Sequence, residues 1–456
     1  MTISKILIAN RGEIACRIIR SCRDLGIATA AIYSEADAGS LHVTLADEAF
    51  AIGPPPAAKS YLDQDAILAA LKSSGADAVH PGYGFLAENA RFAAAVENSG
   101  RIWIGARPKT IEDMGDKERA RDIAKASGVP VLPGSPRFRP GDLAGLTAAG
   151  ESVGYPLLVK AAAGGGGIGM RLVETADTLQ AQVETTQALA ERSFGDGTVY
   201  LERLVARARH IEVQVFGFGD GGGVHFFDRD CSVQRRFQKV IEEAPAPDVP
   251  RNLRQEMHEA ALRLVAHGNY RGAGTVEFIY DGSRQAFYFL EMNTRIQVEH
   301  AASEMITGQD LVNAQIALAS GNFTAPSQED IIATGHAIEC RIYAERPEKN
   351  FLPSPGNLTR FRLPDENSAL RIDHGFREGD QITPYYDPMI AKVIVRGDDR
   401  KDAIERMLSA LGEISVEGVS TNLTFLKQML LDPVYRTDLP TTRYVEQGSH
   451  NALAPA

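Results

Sequence analysis

The stretch that most constrains this 456-residue chain runs from Thr275 to His300. Two runs of alternating apolar residues flank Asp281-Gly282-Ser283, a combination that predicts a β-hairpin. With the turn centred near Ser283 or Arg284, Glu277 and Glu291 become cross-strand partners, their carboxylates on one face and a few ångströms apart at Cβ. Two like charges held so close require a cation. Oxygen-only ligands suit Mg²⁺ or Mn²⁺, and Asn293, two residues on, faces the same way. The alternation continues, with Glu291, Asn293, Arg295, Gln297 and Glu299 sharing parity and Met292, Ile296 and Val298 in the other set. An extended backbone would put the polar set on one face. That face combines metal ligands, a guanidinium for an anion and a second carboxylate as base, which suits a reaction on an oxyanion beside a metal-bound nucleotide.

Upstream, the apolar strand Pro156 to Lys160 is followed by Ala163-Gly-Gly-Gly-Gly-Ile-Gly-Met170 and a second strand, Arg171 to Glu174. Glycines let backbone N–H groups approach phosphate oxygens, and a strand-borne lysine adds positive charge beside them. No Gly-Lys-Ser/Thr follows, so this is not a P-loop. Glu202 ends the strand Thr198 to Leu201, and the linker Glu202-Arg203-Leu204-Val205 can offer backbone groups to an adenine. His210, Glu212 and Gln214 alternate along Arg209 to Phe216. Asp230 to Lys239, which contains Gln234, concentrates charge, and in an acidic chain it suggests a local anion site.

The formal charge of -11 argues against a nucleic-acid partner, whose phosphates need a basic face. No run of about 18 apolar residues is present, and Met1 to Asn10 has neither the basic stretch nor the apolar core of a signal peptide. The expectation is a soluble, cytoplasmic protein with no membrane partner. The four cysteines, Cys16, Cys22, Cys231 and Cys340, show neither a disulfide framework nor a metal spacing, so reduced thiols are expected.

The length predicts two to four domains. At the N-terminus, strands at Lys5 to Ala9, Ala28 to Tyr33, Asp77 to His80 and Arg101 to Gly105 alternate with amphipathic segments such as Ile14 to Leu25, which predicts a parallel α/β domain. Its first turn, Asn10-Arg11-Gly12-Glu13, lacks the glycine spacing of a dinucleotide site. His80-Pro-Gly-Tyr-Gly-Phe85 forms a loop whose His80, Tyr83 and Phe85 could line a pocket. A largely antiparallel block follows from near Met114, with a connector at Ser327 to Thr334. Strands at His336 to Ala344, Leu358 to Leu363 and Met389 to Val395, with a helix at Asp399 to Leu411, predict a third, α+β region.

Taken in order, these pieces resemble the biotin carboxylase family of ATP-grasp enzymes, over nearly the whole chain. The most specific stretches are Arg229-Asp-Cys-Ser-Val-Gln-Arg-Arg, Glu242-Glu-Ala-Pro-Ala-Pro, Glu291-Met-Asn-Thr-Arg-Ile-Gln-Val-Glu-His and Phe351-Leu-Pro-Ser-Pro-Gly. The resemblance implies a multidomain α/β and α+β architecture. A Rossmann-like parallel domain would span 1–113, an ATP-grasp domain 114–330 with a glycine-loop lid over about 131–204, and a C-terminal α+β domain 331–456.

It also implies a ligase that carboxylates biotin with MgATP and bicarbonate. Lys117, Lys160, Gly166, Gly167, Glu202, His210 and Gln234 match ATP-contacting positions. Glu277 and Glu291 match the Mg²⁺ (or Mn²⁺) ligands, with Asn293 nearby and Glu277 also beside ATP. Lys239, Arg295, Gln297 and Val298 match the bicarbonate site. Glu299 matches the base that deprotonates bicarbonate for attack on the γ-phosphate, giving carboxyphosphate. That breaks to CO₂ and phosphate, and the phosphate takes the ureido proton of biotin. Arg341 matches the residue that stabilises the ureido anion, and Tyr83 would lie beside biotin. The lid would close over ATP and exclude water.

The chain departs from the family at Phe237, where histidine is usual, at Ile168, where a basic residue is usual, and at Ala301-Ala302, where Pro-Val is usual. No Met-Lys dipeptide occurs, so biotin is expected on a separate biotin carboxyl carrier protein, with carboxyltransferase subunits as further partners. A homodimer is implied by the resemblance. The final acceptor could be acetyl-CoA or another acyl-CoA, pyruvate or urea; Arg341-Ile-Tyr-Ala-Glu345 and Arg377-Glu-Gly-Asp380 lean toward catabolic acyl-CoA carboxylase subunits. Another ATP-grasp ligase, such as a carbamoyl-phosphate, purine or peptide ligase, is the competing enzyme reading, against which Arg295, Gln297, Glu299 and Arg341 discriminate. A silent ATP-binding subunit is the non-enzymatic one, and the retained Glu277, Glu291 and Glu299 argue against it.

Overall fold

The first strands are apolar on both faces, which is the pattern of a sheet covered on both sides. In the computed structural model, which describes residues 3–162 and 169–447, β1 (Lys5–Ile8), β2 (Ala28–Tyr33), β3 (Glu48–Ala51), β4 (Ala78–His80) and β5 (Ile102–Trp103) form a parallel sheet in the order β3-β2-β1-β4-β5. Helix α1 (Gly12–Asp24) follows β1 and buries Ile14, Ile18 and Ile19 against Ile6 and Ile8. The tight entry to α1 puts Gly12 at φ 63°, where a side chain would be strained.

The chain divides into two compact units. One holds the residues up to Val129, Arg209–Phe278 and those from Glu291 onward; the other holds Pro130–Ala208 and Ile279–Leu290. In the second unit β6 (Leu157–Ala161), β7 (Met170–Val173) and β8 (Val199–Arg203) make an antiparallel sheet in the order β7-β6-β8. Alternation along β6 buries Leu157 and Val159 with Val173, Leu179, Val183, Val199 and Leu201, beneath α2 (Leu179–Phe194). The glycine run Gly164 to Gly167 and Ile168 lie outside the described residues.

The largest sheet contains β9 (Ala208–Phe218), β10 (Gly223–Arg235), β11 (Gln238–Ala244), β12 (Arg271–Asp281), β13 (Ala286–Asn293), β14 (His336–Tyr343), β15 (Leu370–His374) and β16 (Met389–Gly397). Its order is β13-β12-β9-β10-β11-β14-β16-β15, and the pairings from β9 through to β15 are antiparallel. Strands on either side of residue 330 therefore share one sheet, joined where Ile241 pairs with Cys340 and Glu243 with Ile338. The expected strand Leu358 to Leu363 is instead two short pieces, Gly356–Asn357 and Arg360–Arg362. The first piece pairs with Gln381–Ile382 and the second with Ser415–Glu417, so the chain changes partner between them, where Leu358 is buried.

Strand parity gives the β14 region two different faces. Ile338, Cys340 and Ile342, with Val393 and Val395, pack on α4 (Arg400–Glu413), whose Ala403, Ile404, Met407, Ala410 and Leu411 form one stripe. Ala337 and Ala244 on the other face pack on α3 (His300–Thr307) through Ala302 and Ile306. That second face also carries the register pairs Glu242 with Glu339, Arg341 with Lys392, and Lys392 with Asp373.

Glu243 clamps β11 to α4. Its carboxylate accepts from Arg400 Nε at 2.7 Å, Arg400 Nη2 at 2.9 Å and His336 Nε2 at 2.8 Å. Burial alone would raise this carboxyl, but His336 and Arg400 outweigh it and bring it down to about 2 from 4.5. A lowered folded value adds stability that is complete above pH 4.5 and lost as pH falls through 2, on the order of 3 kcal/mol. Glu243→Gln is therefore expected to lower unfolding free energy by about 3 kcal/mol at pH 7. In urea titrations the gap to the parent should close as pH falls from 4.5 toward 2. A gap that stays constant with pH would refute this account.

Candidate active site

β9 and β10 bring Glu212 opposite Arg229. Arg229 is fully buried; its Nε donates to Glu212 Oε1 at 2.7 Å, and its Nη1 to Gln214 Oε1 at 2.8 Å and Ser303 Oγ at 3.0 Å. A guanidinium in the interior needs such complete pairing. Next to it Lys239, from β11, bridges three carboxylates: its Nζ lies 2.5 Å from Glu212 Oε2, 2.9 Å from Glu277 Oε1 and 2.6 Å from Glu299 Oε1. His210, Glu212 and Glu277 converge as a metal site would, as do Glu212, Cys231 and Glu299. Here the cation that links Glu212, Glu277 and Glu299 is an ammonium.

Glu277 is the hub of the predicted polar set. Its Oε1 also accepts from Asn293 Nδ2 and Gln297 Nε2, both at 2.9 Å, and its Oε2 lies 2.9 Å from His210 Nε2. His210 Nδ1 in turn lies 2.9 Å from Gln234 Nε2. Arg295 Nη1 donates to Gln297 Oε1 at 2.6 Å, Nη2 to Asn293 Oδ1 at 3.0 Å and Nε to Glu88 Oε2 at 3.1 Å. Arg341 reaches in from β14: its Nη2 donates to Glu299 Oε2 at 2.9 Å and lies 2.6 Å from Glu242 Oε1.

The residues from Glu291 to Glu299 converge for a different reason from the expected one. The extended backbone ends at Asn293, residues 294–299 bend, and Glu299 caps α3 with φ -86° and ψ 14°. Parity beyond Asn293 is therefore meaningless. Gln297 and Glu299 meet the strand-borne groups because the turn carries them back over β12 and β11, a path that period-two alternation cannot foretell.

The charges are strongly coupled. Burial alone would raise Glu299, but Lys239, Arg341 and Arg229 outweigh it and hold the carboxyl well below its usual range. Burial likewise works against Glu277, which Lys239 and His210 nevertheless keep ionised. Lys239 is pushed well above its usual value, since Glu212, Glu277 and Glu299 outweigh its burial. Glu291 goes the other way: burial and then the Glu277 charge raise it, with Lys117 opposing. A divalent cation between Glu277 and Glu291 would remove that repulsion. With the Asn293 amide adjacent, these two carboxylates fit an oxygen-preferring metal such as Mg²⁺.

Other expected residues are spread more widely. Lys117 stands exposed at the start of the helix Lys117–Ala126, close enough for its charge to act on Glu291. In the second unit Lys160 donates to Glu202 across β6 and β8, Arg203 Nε donates to Val153 O at 2.8 Å, the Leu204 N–H donates to Pro156 O at 3.2 Å, and Val205 is buried. Gly166 and Gly167 lie outside the described residues. Val298 O accepts from Lys392 Nζ at 2.6 Å. Tyr83 donates to Glu13. The expected partners of Tyr83 in a pocket wall are placed otherwise: His80 is fully buried, with burial lowering its ring to about 3, and Phe85 stacks on Tyr61 at 5.0 Å.

Phe237 is 60% exposed in a left-handed turn at φ 63°, so no core holds it. Ala301 and Ala302 are fully buried, Ala302 against Ala244 and Ala337. All four cysteines are free and buried. Sequence reasoning gave no role to Arg229, Glu242 or Lys392. For Lys392, between Ala391 and Val393, the signal was available, since a charged residue between apolar neighbours in a strand is either paired or functional; Arg229, between Asp228 and Asp230, and Glu242, beside Glu243, carried no such signal.

Three family models match the chain: "Biotin carboxylase, N-terminal domain" at residues 2–111, "Carbamoyl-phosphate synthase L chain, ATP binding domain" at 116–325 and "Biotin carboxylase C-terminal domain" at 339–447. A biotin carboxylase of Halalkalibacterium halodurans is 50% identical, with 97% of each chain covered. The mitochondrial methylcrotonoyl-CoA carboxylase subunit alpha of Mus musculus is 46% identical over all of this chain, which spans 63% of that longer protein. The biotin carboxylase domain dimer of Hydrogenobacter thermophilus 2-oxoglutarate carboxylase, solved with MgADP, ADP and bicarbonate, superposes with a TM-score of 0.90 at 42% identity and 100% coverage of both chains.

Proposed function

The chain belongs to the biotin carboxylase family of ATP-dependent ligases, and on that premise we propose that it carboxylates biotin on a separate carrier protein, using MgATP and bicarbonate. The observation that carries this reading is the setting of Glu299: a buried carboxylate kept ionised by Lys239 and Arg341, at a turn shared with Gln297 and Val298. A base must be ionised to accept a proton and must lie beside the anion it activates. Lys239, Arg295, Gln297 and the Val298 backbone hold bicarbonate. Its hydroxyl proton passes to Glu299, and the freed oxygen attacks the γ-phosphorus, with ADP leaving and carboxyphosphate formed.

Carboxyphosphate breaks to CO₂ and phosphate; the phosphate removes the ureido N–H proton of biotin, and the nitrogen adds to CO₂. Arg341 stabilises the ureido anion, and Tyr83 borders biotin. Lys117, Lys160, Gly166, Gly167, Glu202 to Val205, His210 and Gln234 contact ATP. Glu277 and Glu291, with Asn293, hold Mg²⁺ (or Mn²⁺), which when bound neutralises charge on the β- and γ-phosphates. Likeness to the methylcrotonoyl-CoA carboxylase subunit supports service to an acyl-CoA carboxylase, with a carboxyltransferase subunit as partner. The dimeric Hydrogenobacter domain supports a homodimer. Among the described residues no helix is long and apolar enough to cross a membrane.

The test is ADP release by the purified chain with MgATP, with and without bicarbonate and free biotin at high concentration. Release should require bicarbonate, rise with biotin and stop on chelation of Mg²⁺. ATP binding without stimulation by biotin or by a biotinylated carrier would favour another carboxylate ligase instead.

A further inference from the structure

Lys392 sits in the middle of β16, yet its side chain is 0% exposed. Burying an ammonium costs several kcal/mol unless its bonds are made good, and a strand that only needed packing would carry an aliphatic residue there. Its bonds are made good in a specific way. Nζ donates to Val298 O at 2.6 Å, and lies 3.4 Å from Glu13 Oε1 and 3.9 Å from Asp373 Oδ2. Asp373 is its cross-strand partner on β15 and Arg341 its partner on β14, so Lys392 shares a sheet face with the arginine that contacts Glu299. Val298 O belongs to the peptide joining Val298 to Glu299, and that peptide has no strand neighbour to orient it.

We infer that Lys392 is a positioning residue for bicarbonate: its hydrogen bond to the Val298 carbonyl fixes the Val298–Glu299 peptide plane, and with it the backbone from which the Glu299 carboxylate is aimed at the anion. The inference rests on the biotin carboxylase reading and adds a residue that touches neither substrate nor metal. Glu13 and Asp373 keep Lys392 charged in the interior, outweighing its burial together with Glu339. Glu13 also accepts from Tyr83, so the same ammonium is anchored from the side where biotin is proposed to bind.

The test uses the full chain and steady-state ADP release, with ATP affinity measured separately by calorimetry. Lys392→Met should raise KM for bicarbonate tenfold or more while ATP affinity stays within twofold of the parent. An unchanged bicarbonate KM, or equal losses for bicarbonate and ATP, would reduce Lys392 to a structural role and overturn the inference. Should Lys392→Met not fold, Lys392→Arg decides. It keeps the charge facing Glu13 and Asp373 but replaces the ammonium's point contact with a planar fork, so bicarbonate KM should still rise several-fold, and an unchanged value overturns the inference. A parent chain without bicarbonate-dependent ADP release would refute the functional reading itself, a result distinct from either variant's.

Discussion

Glu299→Gln is expected to lower bicarbonate-dependent ADP release by about 10²- to 10⁴-fold, the range a positioned general base contributes. Glutamine keeps the size of the side chain and can still face Lys239 and Arg341, but it cannot accept the bicarbonate proton. MgATP affinity should stay within a few-fold, because Glu277 and Glu291 are untouched. In the parent chain Glu299 is held well below the usual carboxylate range, so its protonation should not limit turnover near neutral pH. Coupled measurement of ADP release and calorimetric titration of ATP separate the two effects. A variant that retains turnover within threefold would remove Glu299 from the role of base.

Lys239→Met is expected to damage both fold and chemistry. The ammonium is the shared partner of Glu212, Glu277 and Glu299, and removing it leaves three converging carboxylates short of one cation. Breaking a buried ion pair from one side costs about 3–5 kcal/mol, and here three pairs break together. Without that nearby charge Glu299 should bind a proton more readily, so residual activity should fall toward acidic pH where the parent is still active. Turnover should drop at least about 10²-fold, since bicarbonate loses a proposed ligand while the base loses its stabiliser. Thermal unfolding and a pH profile of ADP release check the two halves. Parental stability in Lys239→Met would contradict the pairing described.

Much of this was legible locally. The parallel strands near the N-terminus, the β6–β7 unit and the hairpin after Glu277 lie where alternation and turn residues put them, because those signals act over a few residues. The helix expected at Asp399 to Leu411 begins one residue later, with Asp399 as its cap. Glu277, Asn293, Arg295, Gln297 and Glu299 could be nominated from residue type and spacing, and the structure gathers them around Lys239 and Arg341. The stated reason failed for Arg295, Gln297 and Glu299: parity holds only while the strand lasts, and the strand stops at Asn293.

The sequence by itself determined the chain's elements, its family and the identity of most polar residues at the site, since each depends on neighbours along the chain. Only the tertiary structure decided which charges meet. Lys239 finds Glu212, Glu277 and Glu299 at separations of 27, 38 and 60 residues, and Arg341 reaches Glu299 from 42 residues away. Those meetings follow from the order and pairing of β12, β9, β10, β11 and β14, and from the turn after Asn293 that returns Glu299 to them. A one-residue slip of β14 would turn Arg341 to the opposite face, into the apolar core that packs on α4.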